Sequence, residues 1–177
     1  TNNVCLDQAA NFMDTSNPNG GVITSWSWDF DNNGIPDDNS QNPSYNFPTH
    51  GNYNVQLIVG ISSMCTDTIV QPIDIYPMPT ADFNFNNECH GTPVAFTDAS
   101  VVATGVVNGW DWDFGNGNTS MIQNPSENYG ADGSYSVQLI ATTDNGCKDT
   151  IVKQVEVCPT PIATFGPQDV CLNNPTL

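Results

Sequence analysis

The sequence predicts an all-β fold of tandem β-sandwiches joined end to end. Three observations predict it: a long internal repeat, apolar side chains at alternate positions, and Asn-Gly pairs between the alternating runs. Val55-Gln56-Leu57-Ile58 returns as Val137-Gln138-Leu139-Ile140, and Asp67-Thr68-Ile69-Val70 as Asp149-Thr150-Ile151-Val152, each 82 positions on. Gln41-Asn42-Pro43-Ser44 returns at the same spacing as Gln123-Asn124-Pro125-Ser126. Trp26-Ser27-Trp28-Asp29-Phe30 returns 84 positions on as Trp110-Asp111-Trp112-Asp113-Phe114, so the first unit carries two extra residues between Phe30 and Gln41.

Taken in order, unit one covers residues 1–77 and lacks a counterpart of Ala81–Phe85, the opening strand of unit two. Trp26, Trp28 and Phe30 alternate with Ser27 and Asp29, as a half-buried strand requires. Tyr53, Val55 and Leu57 alternate in the same way with Asn54 and Gln56. Asn19-Gly20 and Asn33-Gly34 supply turn residues in unit one, Asn116-Gly117 and Asn145-Gly146 in unit two. Pro77-Met78-Pro79 and Cys158-Pro159-Thr160-Pro161 read as short stiff linkers, because proline fixes φ. Unit two then covers 78–160. Residues 161–177 open a third unit, with Ala163-Thr164-Phe165 matching Ala81-Asp82-Phe83. Several short strands per unit, with a tryptophan strand early and a hairpin late, describe an immunoglobulin-like sandwich. The expected core is Trp28 with Val55 and Leu57 in unit one, and Trp112 with Val137 and Leu139 in unit two. The partial units at both ends read as a segment cut from a longer array.

Composition narrows the function. Two Lys+Arg face 19 Asp+Glu, for a net charge of −17. That field repels phosphate backbones and anionic lipid, which argues against nucleic-acid binding. It attracts cations. No apolar run reaches the roughly 18 residues of a membrane helix, so no membrane insertion by this segment is expected. Thr1 begins no signal peptide, so an export signal would lie outside this sequence. Six cysteines (Cys5, Cys65, Cys89, Cys147, Cys158, Cys171) show neither CxxC nor zinc spacing. They read as disulfide candidates, hence an oxidising, extracellular location.

Trp28-Asp29-Phe30 and Trp112-Asp113-Phe114-Gly115-Asn116-Gly117 resemble the WDFGDG signature of PKD (polycystic kidney disease) domains. Gly51-Asn52-Tyr53-Asn54-Val55 and Gly133-Ser134-Tyr135-Ser136-Val137, each preceded by an aromatic, resemble the family's second signature. The style is similar to arrays in giant bacterial surface adhesins, such as those of gliding motility. The resemblance implies a non-catalytic stalk or adhesive repeat at the cell surface. Its partners would be neighbouring units of the same chain and a surface polysaccharide or protein ligand. The alternative is an accessory module of a secreted polysaccharide- or protein-degrading hydrolase. No residue constellation points to an enzyme, because His50 and His90 share no partner.

Other motifs have structural explanations. Paired tryptophans invite sugar stacking, but burial of aromatics in a sandwich core is the stronger expectation. Thr68 and Thr150 sit in Asp-Thr-aliphatic triplets resembling a bacterial O-glycan acceptor, although β-branched residues belong in a strand anyway. For the cysteines, within-unit pairing (Cys5 with Cys65, Cys89 with Cys147) competes with a staple across the joint, Cys5 with Cys147. In a sandwich the first and last hairpins lie at opposite ends, about 17–20 Å apart, which favours the staple. Cys158 then falls near Cys89 as its candidate partner, and Cys65 and Cys171 would pair beyond the ends of the sequence.

The last candidate is a metal loop. Asp29, Asp31 and Asn33 place oxygen side chains at alternate positions, Gly34 follows, Ile35 offers its carbonyl, and Asp37 and Asp38 return acids. This opening matches D-x-[DN]-x-[DN]-G calcium loops, with Ser40 where their closing glutamate would stand. Ca²⁺ is expected in unit one and not in unit two, whose shorter loop keeps only Asp113. An Asn/Asp turn that merely suits positive φ is the competing explanation.

Overall fold

The computed structural model describes residues 4–62 and 65–166. Cys171 and most of the expected third unit lie outside them. Unit one contains β1 (Val4–Cys5), β2 (Ala10–Asn11), β3 (Ser25–Asp29), β4 (Ser44–Tyr45), β5 (Gly51–Ser62) and β6 (Cys65–Tyr76). One sheet runs β1-β6-β5-β3, and β2 pairs with β4 in a second. Unit two contains β7 (Phe83–Phe85), β8 (Glu88–Cys89), β9 (Val94–Asp98), β10 (Val107–Asp113), β11 (Thr119–Ser120), β12 (Ser126–Glu127), β13 (Gly133–Thr143) and β14 (Lys148–Cys158). Its sheets run β11-β10-β13-β14-β8 and β12-β9-β7. Each unit is an immunoglobulin-like sandwich, and the described residues include no helix.

Alternation decides which side chains fill the space between the sheets. In unit two Trp112, Val137 and Leu139 are buried with Phe83, Phe96, Phe114 and Val155. In unit one Trp28, Val55 and Leu57 are buried with Phe30, Phe47 and Ile75. Trp28 stands opposite Leu57 across the β3–β5 ladder, and Trp112 opposite Leu139 across β10–β13. The second signature has a physical reason. The hydroxyls of Tyr53 and Tyr135 donate to the carbonyls of Thr49 and Ala131, four residues upstream, and fix the entry into the long hairpin. Of the four Asn-Gly turns, the glycine takes positive φ in each, but among their asparagines only Asn19 does. In the acidic loop the positive φ falls on Asn32 rather than Asn33.

Cys5 and Cys147 form a disulfide, with Cα atoms 5.7 Å apart. The alternative Cys5–Cys65 pairing is excluded by the long hairpin. Cys5 lies beside Tyr76 in a parallel ladder at the far end of β6, whereas Cys65 opens that strand. At about 3.3 Å per residue the two are separated by roughly 36 Å, twice the expected length. The segment bearing Cys5 is thus a parallel edge strand rather than half of a hairpin. The bridge crosses the joint together with the 77–79 linker, and both cysteines are buried, at 6% and 1% exposure. Cys89 and Cys158 face each other in the parallel β8–β14 ladder, but both remain exposed free thiols, as does Cys65.

Candidate functional site

β3 delivers Asp29 to the edge of the sandwich, where its side chain is only 4% exposed. Its Oδ1 accepts the Asn33 N–H at 3.1 Å and its Oδ2 the Gly34 N–H at 2.7 Å, which folds the loop back over it. Asp31 accepts from Asn33 through both carboxylate oxygens, at 3.2 Å from the backbone and 2.9 Å from the side chain. The far arm returns because Trp28 and Asp38 form an antiparallel bridge. That bridge brings Asp37 to accept the Phe30 N–H at 2.8 Å. One oxygen from each of Asp29, Asp31 and Asp37 then lies within 4.8 Å of the others.

The remaining sequence candidates behave differently. The Asp38 carboxylate turns to Ser40, whose hydroxyl and N–H donate to it at 2.6 and 2.7 Å and hold its pKa below the ordinary value. The side-chain Oδ1 of Asn33 accepts the Ile35 N–H at 2.8 Å, and the Ile35 side chain is exposed. Each clustered carboxylate keeps lone pairs free, since a carboxylate offers about four. Three mutually repelling anions with spare oxygen donors are the chemistry of a hard cation such as Ca²⁺. Their field reaches Tyr45, whose phenol is pushed up first by burial and then by Asp37 and Asp31.

Unit two closes the same position without such a cluster. Gly115 has φ of 74°, and a Cβ there would stand 2.6 Å from the Ser136 carbonyl oxygen. Asp31 occupies the corresponding place in unit one, where a Cβ could not follow that tight path, and the loop there is two residues longer. The side-chain amides of Asn116 and Asn118 both donate to Glu127, at 2.9 and 2.7 Å, neutral donors standing where unit one gathers charge.

One arrangement was not anticipated from the sequence. Trp26 donates its indole N–H to Asp14 at 2.7 Å, and Trp110 donates to Asp98 at 2.7 Å. Ser16 and Gln41 complete the first cluster, Ser100 and Gln123 the second. Burial raises both carboxyls, but these donors outweigh it and hold each below the ordinary range. The recurrence of Asp, Ser, Trp and Gln at matching spacing was the available signal. Trp26 and Trp110 thereby serve the fold. Thr68 and Thr150 are exposed on β6 and β14. His50 and His90 are exposed and lie outside the acidic cluster.

A protein-family model described as the PKD domain matches residues 1–75 and again 76–157. The pre-pro-metalloprotease PrtV of Vibrio cholerae is 34% identical over 100 residues, covering 56% of this chain but only 10% of that protein. Among solved structures, the PKD1 domain of Vibrio anguillarum Epp is 31% identical with a TM-score of 0.44, covering 47% of this chain and 96% of that one. The PKD1 domain of V. cholerae PrtV is 36% identical with a TM-score of 0.42, covering 46% and 98%.

Proposed function

From the premise that this chain belongs to the PKD domain family, we propose that it is a non-catalytic spacer in a larger exported protein, its two domains clamped into one rod. The observation that carries this reading is the buried Cys5–Cys147 bridge, which adds a second covalent crossing to a joint already made by a proline-rich linker. A single linker lets neighbouring domains pivot, whereas two crossings restrict that rotation. A disulfide of this kind persists in an oxidising, extracellular setting. The similarity to a protease supports an accessory module beside a hydrolytic domain. The adhesive stalk keeps only the repeat in its favour. A bound Ca²⁺ at Asp29, Asp31 and Asp37 belongs to the same reading, as a stiffener of unit one. Small-angle scattering of the intact chain tests the clamp. Reduction should broaden the distribution of interatomic distances while circular dichroism stays unchanged; an identical distribution before and after reduction sinks the reading.

A further inference from the structure

In an Asn-Gly pair the asparagine side chain can meet the next backbone nitrogen easily, because glycine has no Cβ to shield it. The sequence holds five such pairs: Asn19-Gly20, Asn33-Gly34, Asn108-Gly109, Asn116-Gly117 and Asn145-Gly146. The fold treats them differently. The Gly34 N–H is given to Asp29 at 2.7 Å, and the Asn33 side chain is tied to Asp31 and Ile35. The Gly146 N–H donates to the Thr143 carbonyl at 2.9 Å. The Asn116 side chain is clamped at both ends: its NH₂ donates to Glu127 at 2.9 Å, and its oxygen accepts the Asn118 N–H at 3.0 Å. Asn108 and Gly109 lie inside β10, where pairing with β13 keeps the backbone extended.

Asn19-Gly20 is held by none of these devices. Both residues are exposed at the tip of a turn and take positive φ, 48° and 96°. The turn is closed by the Gly21 N–H, which donates to the Pro18 carbonyl at 3.1 Å. Among the described residues, no hydrogen bond engages the Asn19 side chain or the Gly20 N–H. We propose that Asn19 is a site of spontaneous self-modification, deamidating through a cyclic imide while the fold withholds the other four pairs. The Gly20 N–H yields its proton to solvent, and the nitrogen attacks Cγ of Asn19. The N–Cγ bond forms as the side-chain nitrogen takes up a proton and leaves as ammonia. Water then adds to one of the two ring carbonyls and breaks its bond to the Gly20 nitrogen. Opening at the former side-chain carbonyl leaves Asp, whereas opening at the main-chain carbonyl leaves an isoaspartyl link. One water is consumed and one ammonia released, with no oxidant required. Either product adds an acid to a net charge of −17. The isoaspartyl form also inserts a methylene into the main chain of the turn, which upsets the Gly21–Pro18 hydrogen bond. Asp14, gripped by Trp26 at 2.7 Å, anchors the base of the same loop and confines the change to its tip. The mark therefore accumulates with the age of the folded chain.

The test is incubation of the intact, folded chain in mildly alkaline buffer, with peptide mapping by mass spectrometry at intervals. Asn19 should convert first, at least about tenfold faster than any other pair, because each of those must first give up a hydrogen bond or a strand pairing. Isoaspartyl product should appear beside Asp at that position. In denaturant, with the disulfide reduced, all five pairs should convert at similar rates. Asn19→Ser should release no ammonia over the interval in which the parent chain releases an equivalent. Equal rates in the folded chain, or another pair converting first, overturn the proposal. An Asp product without the isoaspartyl form overturns the ring, and an order that survives denaturation overturns the role of the fold.

Discussion

Asp98 accepts from the Ser100 N–H on one carboxylate oxygen and from Trp110 and Gln123 on the other, so both oxygens are committed to donors. An asparagine there would turn its NH₂ toward one of those donors. Asp98→Asn should therefore destabilise unit two at neutral pH by about 1.5–3 kcal/mol, the usual worth of hydrogen bonds to a charged group. The pH dependence follows from the direction of the shift. The folded carboxyl titrates below its unfolded counterpart, so its contribution is present above about pH 3.9 and is lost as pH falls through the folded value. Thermal melts between pH 5 and 2 should be less steeply pH-dependent in Asp98→Asn than in the parent chain. Parallel curves would show that the carboxylate does not contribute. In Asp14 and Asp98 alike the partners lie up to 27 residues apart in sequence, beyond the reach of any local pattern.

At the scale of elements, the long strands and their buried faces were legible because period two forces alternate side chains inward. Trp28, Leu57, Trp112 and Leu139 fall inside for that reason. β1 and β8 were not legible. Two residues carry no period, and each strand exists only because it adds in parallel to the end of a hairpin formed far away in sequence. The acidic loop was half legible. Its spacing named Asp29, Asp31 and Asp37, but the turn of Asp38 toward Ser40 depends on the Trp28–Asp38 bridge, which spacing cannot supply. Titration calorimetry of the chain with Ca²⁺ should show one binding event, removed by Asp31→Ala with Asp37→Ala. Millimolar Ca²⁺ should raise the melting temperature of the parent and leave that double variant unchanged. Two equivalent events, or none, would return the loop to an ordinary Asx-rich turn.

Across the whole molecule, the disulfide joins residues 142 positions apart, so it links the start of the first unit to the last hairpin of the second. Cys147→Ser should cost about 2–4 kcal/mol, in the range usual for a lost disulfide. The bridge also decides where tension travels. A pull on the chain ends enters at Cys5, crosses the sulfurs to Cys147 and leaves along β14, so residues 6–146 carry no load while the bond is intact. At about 3.5 Å per residue, roughly 500 Å of chain is thereby withheld from extension. Single-molecule stretching under oxidising conditions should release only the short segments outside the bridge, and added reductant should free the remainder. Equal extension in both conditions would show the load running through the folded strands instead. Under force the pair behaves as a short tether of fixed length, and it becomes an extensible one only where the surroundings are reducing enough to open the bridge.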